Sequence, residues 1–147
     1  MKRFYQIRPE MEEQFDSGNL EAARKLAEEY LQLAAQNLKD WNYGNAIHHA
    51  NIFLGRIALL NGKLSKAKEH LLAAGSTKRS PQLYSFGPNM TLARDLLLQG
   101  EKEIVLQYID MCKSFWWLWV MHFRTVHNWK RQIKQGEIPD FKAHLLY

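Results

Sequence analysis

The side chains with catalytic or metal-binding potential are few in this 147-residue chain, and their spacing is unfavourable. His48 and His49 are adjacent, so on a helix they point about 100° apart and cannot bind one metal from the same face. His122 and His127 are also poorly spaced for a metal, and neither an HExxH motif nor a Gly-rich phosphate loop is present. Cys112 is the only cysteine, which excludes a disulfide framework and a cysteine-based zinc site. We therefore predict a non-enzymatic protein without a metal or cofactor.

The elements that must position the remaining side chains are predicted to be helices. Apolar residues recur at helical spacing between Leu20 and Leu38, and again on both sides of the Asn61-Gly62 pair. The length and a hydrophobic content of 46% fit a single globular domain. We expect an all-α fold of about three to three and a half stacked αα-hairpins at residues 8–38, 45–75 and 88–113. An aromatic C-terminal helix and tail at 114–147 complete the domain.

Three local signals refine this arrangement. Pro9 fits the first turn of a helix, where its missing N–H would be unpaired in any case. The segment Ser76–Pro88 has no helical pattern and is predicted to be a long loop, either functional or packed as a cap over the core. The segment Asp140–Tyr147 is too apolar for a free tail, so we expect it to fold back over the end of the stack.

A tryptophan-rich stretch follows the third hairpin. The run from Ile104 to Gln135 contains neither glycine nor proline, and we expect its helix to break near Lys113–Trp116 or near Thr125. Three of its indoles cannot all face one core, since they span more than half of a helix circumference. We predict a self-association surface, and thus a homodimer, formed by Trp116, Trp117 and Trp119. Burial beneath the C-terminal tail is the alternative.

The hairpins are related by an internal repeat. Aligning Gly62 with Gly100 places Gly55 on Ala93, so a small residue in the first helix and a glycine at the turn both recur in register. Similar, weaker matches extend toward Gly18. The chain is thus predicted to consist of stacked repeats of one helical hairpin.

The best-formed unit, residues 45–75, resembles the tetratricopeptide repeat. Gly55, Gly62 and Ala67 match the small residue, the turn glycine and the following alanine of that family. Asn51 and Ala58 stand where the family usually has a tryptophan and an aromatic residue, so the resemblance is to a divergent member. The stretches SFGPNM and IPDF, with the ending LLY, also look like a group of small bacterial helical-repeat proteins without assigned activity.

The resemblance implies a groove, lined by the first helix of each hairpin, that binds a partner. Arg56 and Arg94 occupy equivalent positions, and two guanidinium groups on one wall would favour a carboxylate of a partner protein or acidic peptide. The alternative is that each arginine pairs with an internal acid, such as Asp95 or Glu69. The predicted partner-binding residues, including two from the neighbouring loop, are His49, Ile52, Arg56, Tyr84, Phe86, Met90 and Arg94.

Charge and hydropathy limit the location and the partners. The net charge of +5 is concentrated in segments 41–80 and 111–147, which permits nucleic-acid binding as an alternative function. The most apolar run, Phe115–Phe123, is far shorter than the roughly 20 residues of a membrane span. No apolar run follows the basic N-terminus, so we expect no secretion signal, no membrane association and a cytoplasmic location.

Together these patterns predict a protein-interaction module. Its concrete form would be an immunity or regulatory protein that masks a toxin or an enzyme. A helical protein that binds nucleic acid through the two basic segments is the second hypothesis.

Overall fold

A computed structural model describes residues 2–117 and 122–147 and is all-helical over those ranges, with 74% helix and no strand. The predicted all-α arrangement of helical hairpins is confirmed. The described α-helices are α1 (Lys2–Asp16), α2 (Leu20–Gln36), α3 (Tyr43–Leu60), α4 (Leu64–Gly75), α5 (Pro81–Phe86), α6 (Thr91–Leu98), α7 (Lys102–Met111) and α8 (Phe123–Lys134).

Three antiparallel hairpins make up most of the chain: α1 with α2, α3 with α4, and α6 with α7. The first hairpin packs on α3, while the third packs with α6 against α3 and with α7 against α4. Gly55 permits the close approach of α3 and α6, because a Cβ there would lie 2.3 Å from Leu92 Cδ2. Helix α3 therefore lies at the centre, and most of its residues are buried.

Helix α1 is longer than predicted, because Pro9 lies inside it and not in a first turn. The buried side chains Phe4, Ile7 and Met11 fix this helix against the rest of the fold on both sides of the proline. Pro9 itself is exposed, where the missing hydrogen bond to Tyr5 O can be replaced by water.

The predicted loop Ser76–Pro88 also differs, since it contains α5. Ser80 begins this helix by accepting a hydrogen bond from Leu83 N at 3.1 Å, and Pro81 occupies the first turn. Leu83 is buried, so the segment packs as a cap over the core. The apolar pattern of so short a helix is too brief to be read from sequence.

The run Ile104–Gln135 breaks as predicted. Helix α7 ends at Met111 and passes into a 3-10 turn at Cys112–Ser114, and α8 begins at Phe123. The C-terminal segment also folds back as predicted: Met90 N donates to His144 O at 2.8 Å, and Phe141 is 1% exposed.

The two ends of the hairpin stack differ in construction. The turn end consists of the three tight turns at 17–19, 61–63 and 99–101. The loop end consists of the longer connections at 37–42 and 76–90 and of the last part of the tail, where His144 and Tyr147 accept hydrogen bonds from Met90 and Asn89. Helix α3 joins the two ends over its 18 residues, about 27 Å at 1.5 Å per residue. Among the described helices, none is long and apolar enough to cross a membrane.

Candidate functional site

The predicted groove along the first helices is wrong for three of its residues. His49 is 3% exposed, and Ile52 and Met90 are fully buried, because α3 and α6 are enclosed by the neighbouring helices. Burial also lowers the pKa of His49 well below its ordinary value of 6.5, and its Nδ1 has no hydrogen-bond partner among the described residues. These side chains stabilise the core and do not face an open surface.

Arg56 and Arg94 do lie close together, but around a carboxylate of this chain. Arg56 Nε donates to Asp95 Oδ2 at 3.0 Å, and its guanidinium lies 4.5 Å from the ring centre of Phe15. Arg94 Nε is 3.9 Å from the other oxygen of Asp95. Of the two alternatives, the structure thus shows internal pairing for Arg56.

A groove of about 350 Å³ lies beside this ion pair at the turn end. Leu60 and Leu98, which occupy equivalent positions in their hairpins, are 65% and 66% exposed on its rim. Its remaining wall is formed by Phe15, Leu59 and the Arg56–Asp95 pair. The groove is apolar, and the charges that line it neutralise each other.

Tyr84 and Phe86 lie at the loop end, across the length of α3 from the two arginines. Tyr84 stacks on Trp117 with ring centres 5.7 Å apart and an interplanar angle of 17°. The guanidinium of Arg79 lies 4.8 Å from the centre of the Tyr84 ring. Phe86 and Trp117 are 52% and 54% exposed. We call Arg79, Tyr84, Phe86 and Trp117 the aromatic surface. It unites Tyr84 and Phe86 of the predicted partner site with Trp117 of the predicted self-association surface, and it adds Arg79, which was not predicted.

The aromatic surface is held by buried polar contacts between α5 and the start of α3. Ser80 Oγ donates to Asn45 Oδ1 at 2.6 Å, and Asn45 Nδ2 donates to Gln82 Oε1 at 2.5 Å. Gly44 lets the two segments touch, since a Cβ there would lie 2.4 Å from Lys78 O. Hydrogen bonds at a buried site fix position strongly, so Tyr84 is presented from a rigid base.

A second set of buried contacts joins α3 to the connection that precedes α6. His48 Nδ1 donates to Ala74 O at 2.9 Å, and His48 Nε2 accepts from Asn89 N at 3.0 Å. Burial lowers the pKa of His48 to about 4, so the imidazole is neutral. Asn89 also accepts from Thr91 N at 2.9 Å and donates from its side chain to Tyr147 O, which fastens the tail.

The three tryptophans of the predicted self-association surface differ in exposure and in whether the structure describes them. Trp116 is 3% exposed and lies beneath the tail, 5.0 Å from the His144 ring centre and 6.3 Å from that of Trp129. Its assignment to a surface is therefore wrong, because the folded-back tail covers it. Trp117 is exposed, and Trp119 lies outside the described residues.

A further groove, of about 500 Å³, runs along α8 within the basic segment 111–147. The residues that line it are Phe123, Val126, His127, Lys130, Arg131, Lys134 and Gln135. Their spacing of three and four residues places them along one side of the helix, a signal that the sequence did contain.

Other chemistry is sparse in the part of the chain that the structure describes. Over residues 2–117 and 122–147, no group of three or more His, Cys, Asp or Glu side chains could hold a metal ion. Cys112 is buried, and burial raises the pKa of its thiol well above the ordinary value. A protonated, enclosed thiol is a poor nucleophile, so we read Cys112 as a small core residue.

Comparisons with known proteins give no match: no protein-family model, no curated protein and no solved structure matches this chain. The tetratricopeptide resemblance therefore stays a prediction, and function must be inferred from the surfaces described above.

Proposed function

We propose that this protein is a non-enzymatic interaction module that binds a partner protein through its aromatic surface. The observation that carries the proposal is the stack of Arg79 on Tyr84 on Trp117, in which Arg79 and Trp117 are exposed and Tyr84 is partly buried. Arginine, tyrosine and tryptophan dominate the residues whose truncation weakens protein interfaces most. Three such side chains stacked together, with Phe86 exposed on the same segment, form a candidate anchor for a partner.

The stack is also organised before binding. The contacts of Asn45 with Ser80 and Gln82 fix α5 on α3, so little side-chain freedom would be lost when a partner docks. At the turn end, Leu60 and Leu98 are exposed without such support, and Arg56 is already paired with Asp95. We therefore place the partner site at the loop end.

The charge of this surface favours an acidic partner over a second copy of the chain. Segment 76–88 contains Lys78 and Arg79 and no acidic residue. In a two-fold symmetric dimer the same patch meets itself, so the two copies of Arg79 would approach each other. A partner that offers carboxylates beside apolar side chains would complement both the guanidinium and the rings.

A photo-crosslinking experiment tests the site. A photoreactive phenylalanine analogue is placed at Phe86 or, as the matched control, at Leu98; the two native side chains are 52% and 66% exposed at opposite ends of α3. In a lysate of the source organism we expect a protein adduct from position 86 and none from position 98. Adducts at 98 alone, or an adduct only with a second copy of the chain, would overturn the proposal.

Truncation of the stack then measures its share of the affinity. With the captured partner purified, Trp117→Ala is expected to weaken binding about 30-fold or more, the loss of roughly 2 kcal/mol typical of an interface anchor. Arg56→Ala and Arg94→Ala at the turn end are expected to change the affinity less than about twofold. Isothermal titration calorimetry gives both values, and the reverse ranking would return the site to the two arginines.

The role of an immunity or regulatory protein is one concrete form of this proposal. A small domain with such an anchored surface could mask the active site of a toxin or an enzyme. An activity assay of the captured partner, with and without this protein, tests that form: inhibition supports masking, and unchanged activity limits the role to that of an adaptor.

Family and location complete the proposal. We keep the hypothesis of a divergent tetratricopeptide-like protein, supported by Gly55 at the contact of α3 with α6 and by the left-handed glycine turns at Gly62 and Gly100. A cytoplasmic location is supported by the single, unpaired Cys112, since small domains in oxidising compartments commonly carry disulfides.

A further inference from the structure

The structure concentrates uncompensated positive charge on α8. In the basic segment 41–80, half of the six Lys and Arg side chains form ion pairs: Arg56–Asp95, Lys66–Glu69 and Lys68–Glu101. Helix α8 holds Arg124, Lys130, Arg131 and Lys134 and contains no acidic residue. Within the described ranges only Lys130 of these four has an ion pair, 2.7 Å from Asp110.

The charges of α8 border a groove that also offers an aromatic ring. The groove of about 500 Å³ falls within the range of roughly 300–1,000 Å³ that is usual for ligand sites. Phe123, at one end of the helix, is 56% exposed, and His127, Arg131 and Lys134 are exposed along the side that follows. A ligand bound along this side would contact the Phe123 ring at one end and the cationic side chains of Arg131 and Lys134 further along the helix.

The opposite side of α8 is fixed in the core. Trp129 is 5% exposed and Ile133 is fully buried, while Val126, 1% exposed, lies where the groove meets the core. The helix therefore has no apolar side left to insert into a lipid bilayer, which argues against a membrane as the ligand. Its position is set by the core, so the basic side is presented without rearrangement.

We propose that this groove binds single-stranded nucleic acid without sequence preference. Arg131 and Lys134, which have no ion pair among the described residues, would contact backbone phosphates, and a base would stack on Phe123. A row of cations beside an aromatic ring is the combination that single-strand binding uses. An extended peptide would need a strand edge or pockets for its side chains, and the lining residues provide neither. This inference is independent of the proposed protein partner, whose site lies on other residues.

Fluorescence anisotropy with a labelled oligothymidine of about 20 nucleotides tests the proposal. We expect binding at low salt, with an affinity that falls as salt rises, and a log–log slope of about −1.4 for two phosphate contacts. Arg131→Gln with Lys134→Gln should weaken binding about tenfold or more and reduce the slope by about 1.4. Absence of binding at low salt would overturn the proposal.

A charge-matched control separates the groove from net charge. Lys63→Gln with Lys66→Gln removes the same two charges from exposed positions near the start of α4. We expect less than a twofold change, because these lysines lie outside the groove. Equal losses from both double variants would reduce the effect to general electrostatics and overturn the site. Far-UV circular dichroism verifies that each variant is folded.

The stacking step and the class of ligand have their own tests. Phe123→Ala is expected to weaken oligothymidine binding about tenfold while leaving the salt slope unchanged, since stacking releases no counterions. Polyglutamate of similar charge, and vesicles rich in anionic lipid, are offered under the same conditions. Equal or tighter binding of either competitor would overturn the assignment to nucleic acid.

Discussion

The turn end and the loop end of the hairpin stack use glycine in opposite ways. At the turn end, Gly18, Gly62 and Gly100 have φ between +72° and +81°, and a Cβ on any of them would meet no atom within 4 Å. At the loop end, a Cβ on Gly44 would lie 2.4 Å from Lys78 O, and one on Gly87 would lie 2.5 Å from the Trp116 indole. The first group serves backbone conformation alone, whereas the second group serves packing, and Gly87, with φ +80°, serves both.

The polar groups show the same contrast. The loop end contains buried hydrogen bonds of His48, Asn45 and Asn89 that join segments distant in sequence. The turn end has a half-buried ion pair, Arg56–Asp95, and leucines exposed on the rim of its groove. We conclude that the turn end closes each hairpin locally, while the loop end joins the hairpins and supports the aromatic surface.

The largest expected effect comes from Gly87. Gly87→Ala should lower the free energy of unfolding by about 4 kcal/mol, since overpacking and a strained left-handed backbone each cost roughly 1–3 kcal/mol. Urea unfolding followed by far-UV circular dichroism measures the loss. Gly62→Ala, which has a similar φ and open space, is the matched control and should cost about 1 kcal/mol. Equal losses would remove the distinction between the two ends.

The second effect concerns pH. Because the pKa of His48 is about 4 in the folded protein and 6.5 ordinarily, the unfolded chain binds its proton first as pH falls. The contribution of neutral His48 to the free energy of unfolding is therefore fully present above about pH 6.5 and is lost as pH falls toward 4. At 1.36 kcal/mol per pKa unit, that loss is roughly 3 kcal/mol. Burial also lowers the pKa values of His49 and His144, which act in the same direction.

Urea unfolding at pH 7 and pH 5 measures this dependence. His48→Gln should reduce it, and the dependence that remains is expected from His49 and His144, whose pKa values burial also lowers. Stability that is constant, or that rises, between pH 7 and pH 5 would contradict the assignment of a buried neutral imidazole at the loop end.

The smallest effect is expected at the turn end. A double-mutant cycle with Arg56→Met and Asp95→Asn should give a coupling energy of about 1 kcal/mol, because the pair is only partly shielded from water. The exposed Lys66–Glu69 pair is the control, with coupling near zero. A coupling energy as large as the Gly87→Ala effect would show that the turn end stabilises the fold as strongly as the loop end.

The features of the turn end were predicted from sequence more accurately than the burial of the residues along α3. The hairpin boundaries near Gly18, Gly62 and Gly100 were readable because a turn is determined by a few adjacent residues. The break after Met111 was also expected, from the length of the uninterrupted run. The groove was mispredicted because helical spacing identifies one buried side of α3, whereas neighbours on several sides also bury His49 and Ile52.

The aromatic surface could not have been predicted as one site. Arg79 and Tyr84 are near each other in sequence, but Trp117 joins them only after the third hairpin has folded. Trp116 and Trp117 are neighbours of the same type with opposite exposure, since the folded-back tail covers one and leaves the other. Residue type alone gives no means to distinguish them.

The sequence by itself determined the all-α class, the three hairpins with their glycine turns and the positive charge of α8, because these depend on local conformation and composition. Tertiary structure decided which charges are paired, which indole is exposed and where a rigid surface forms. Those outcomes depend on contacts such as His48 with Asn89 and Gly87 with Trp116, which join residues far apart in the chain.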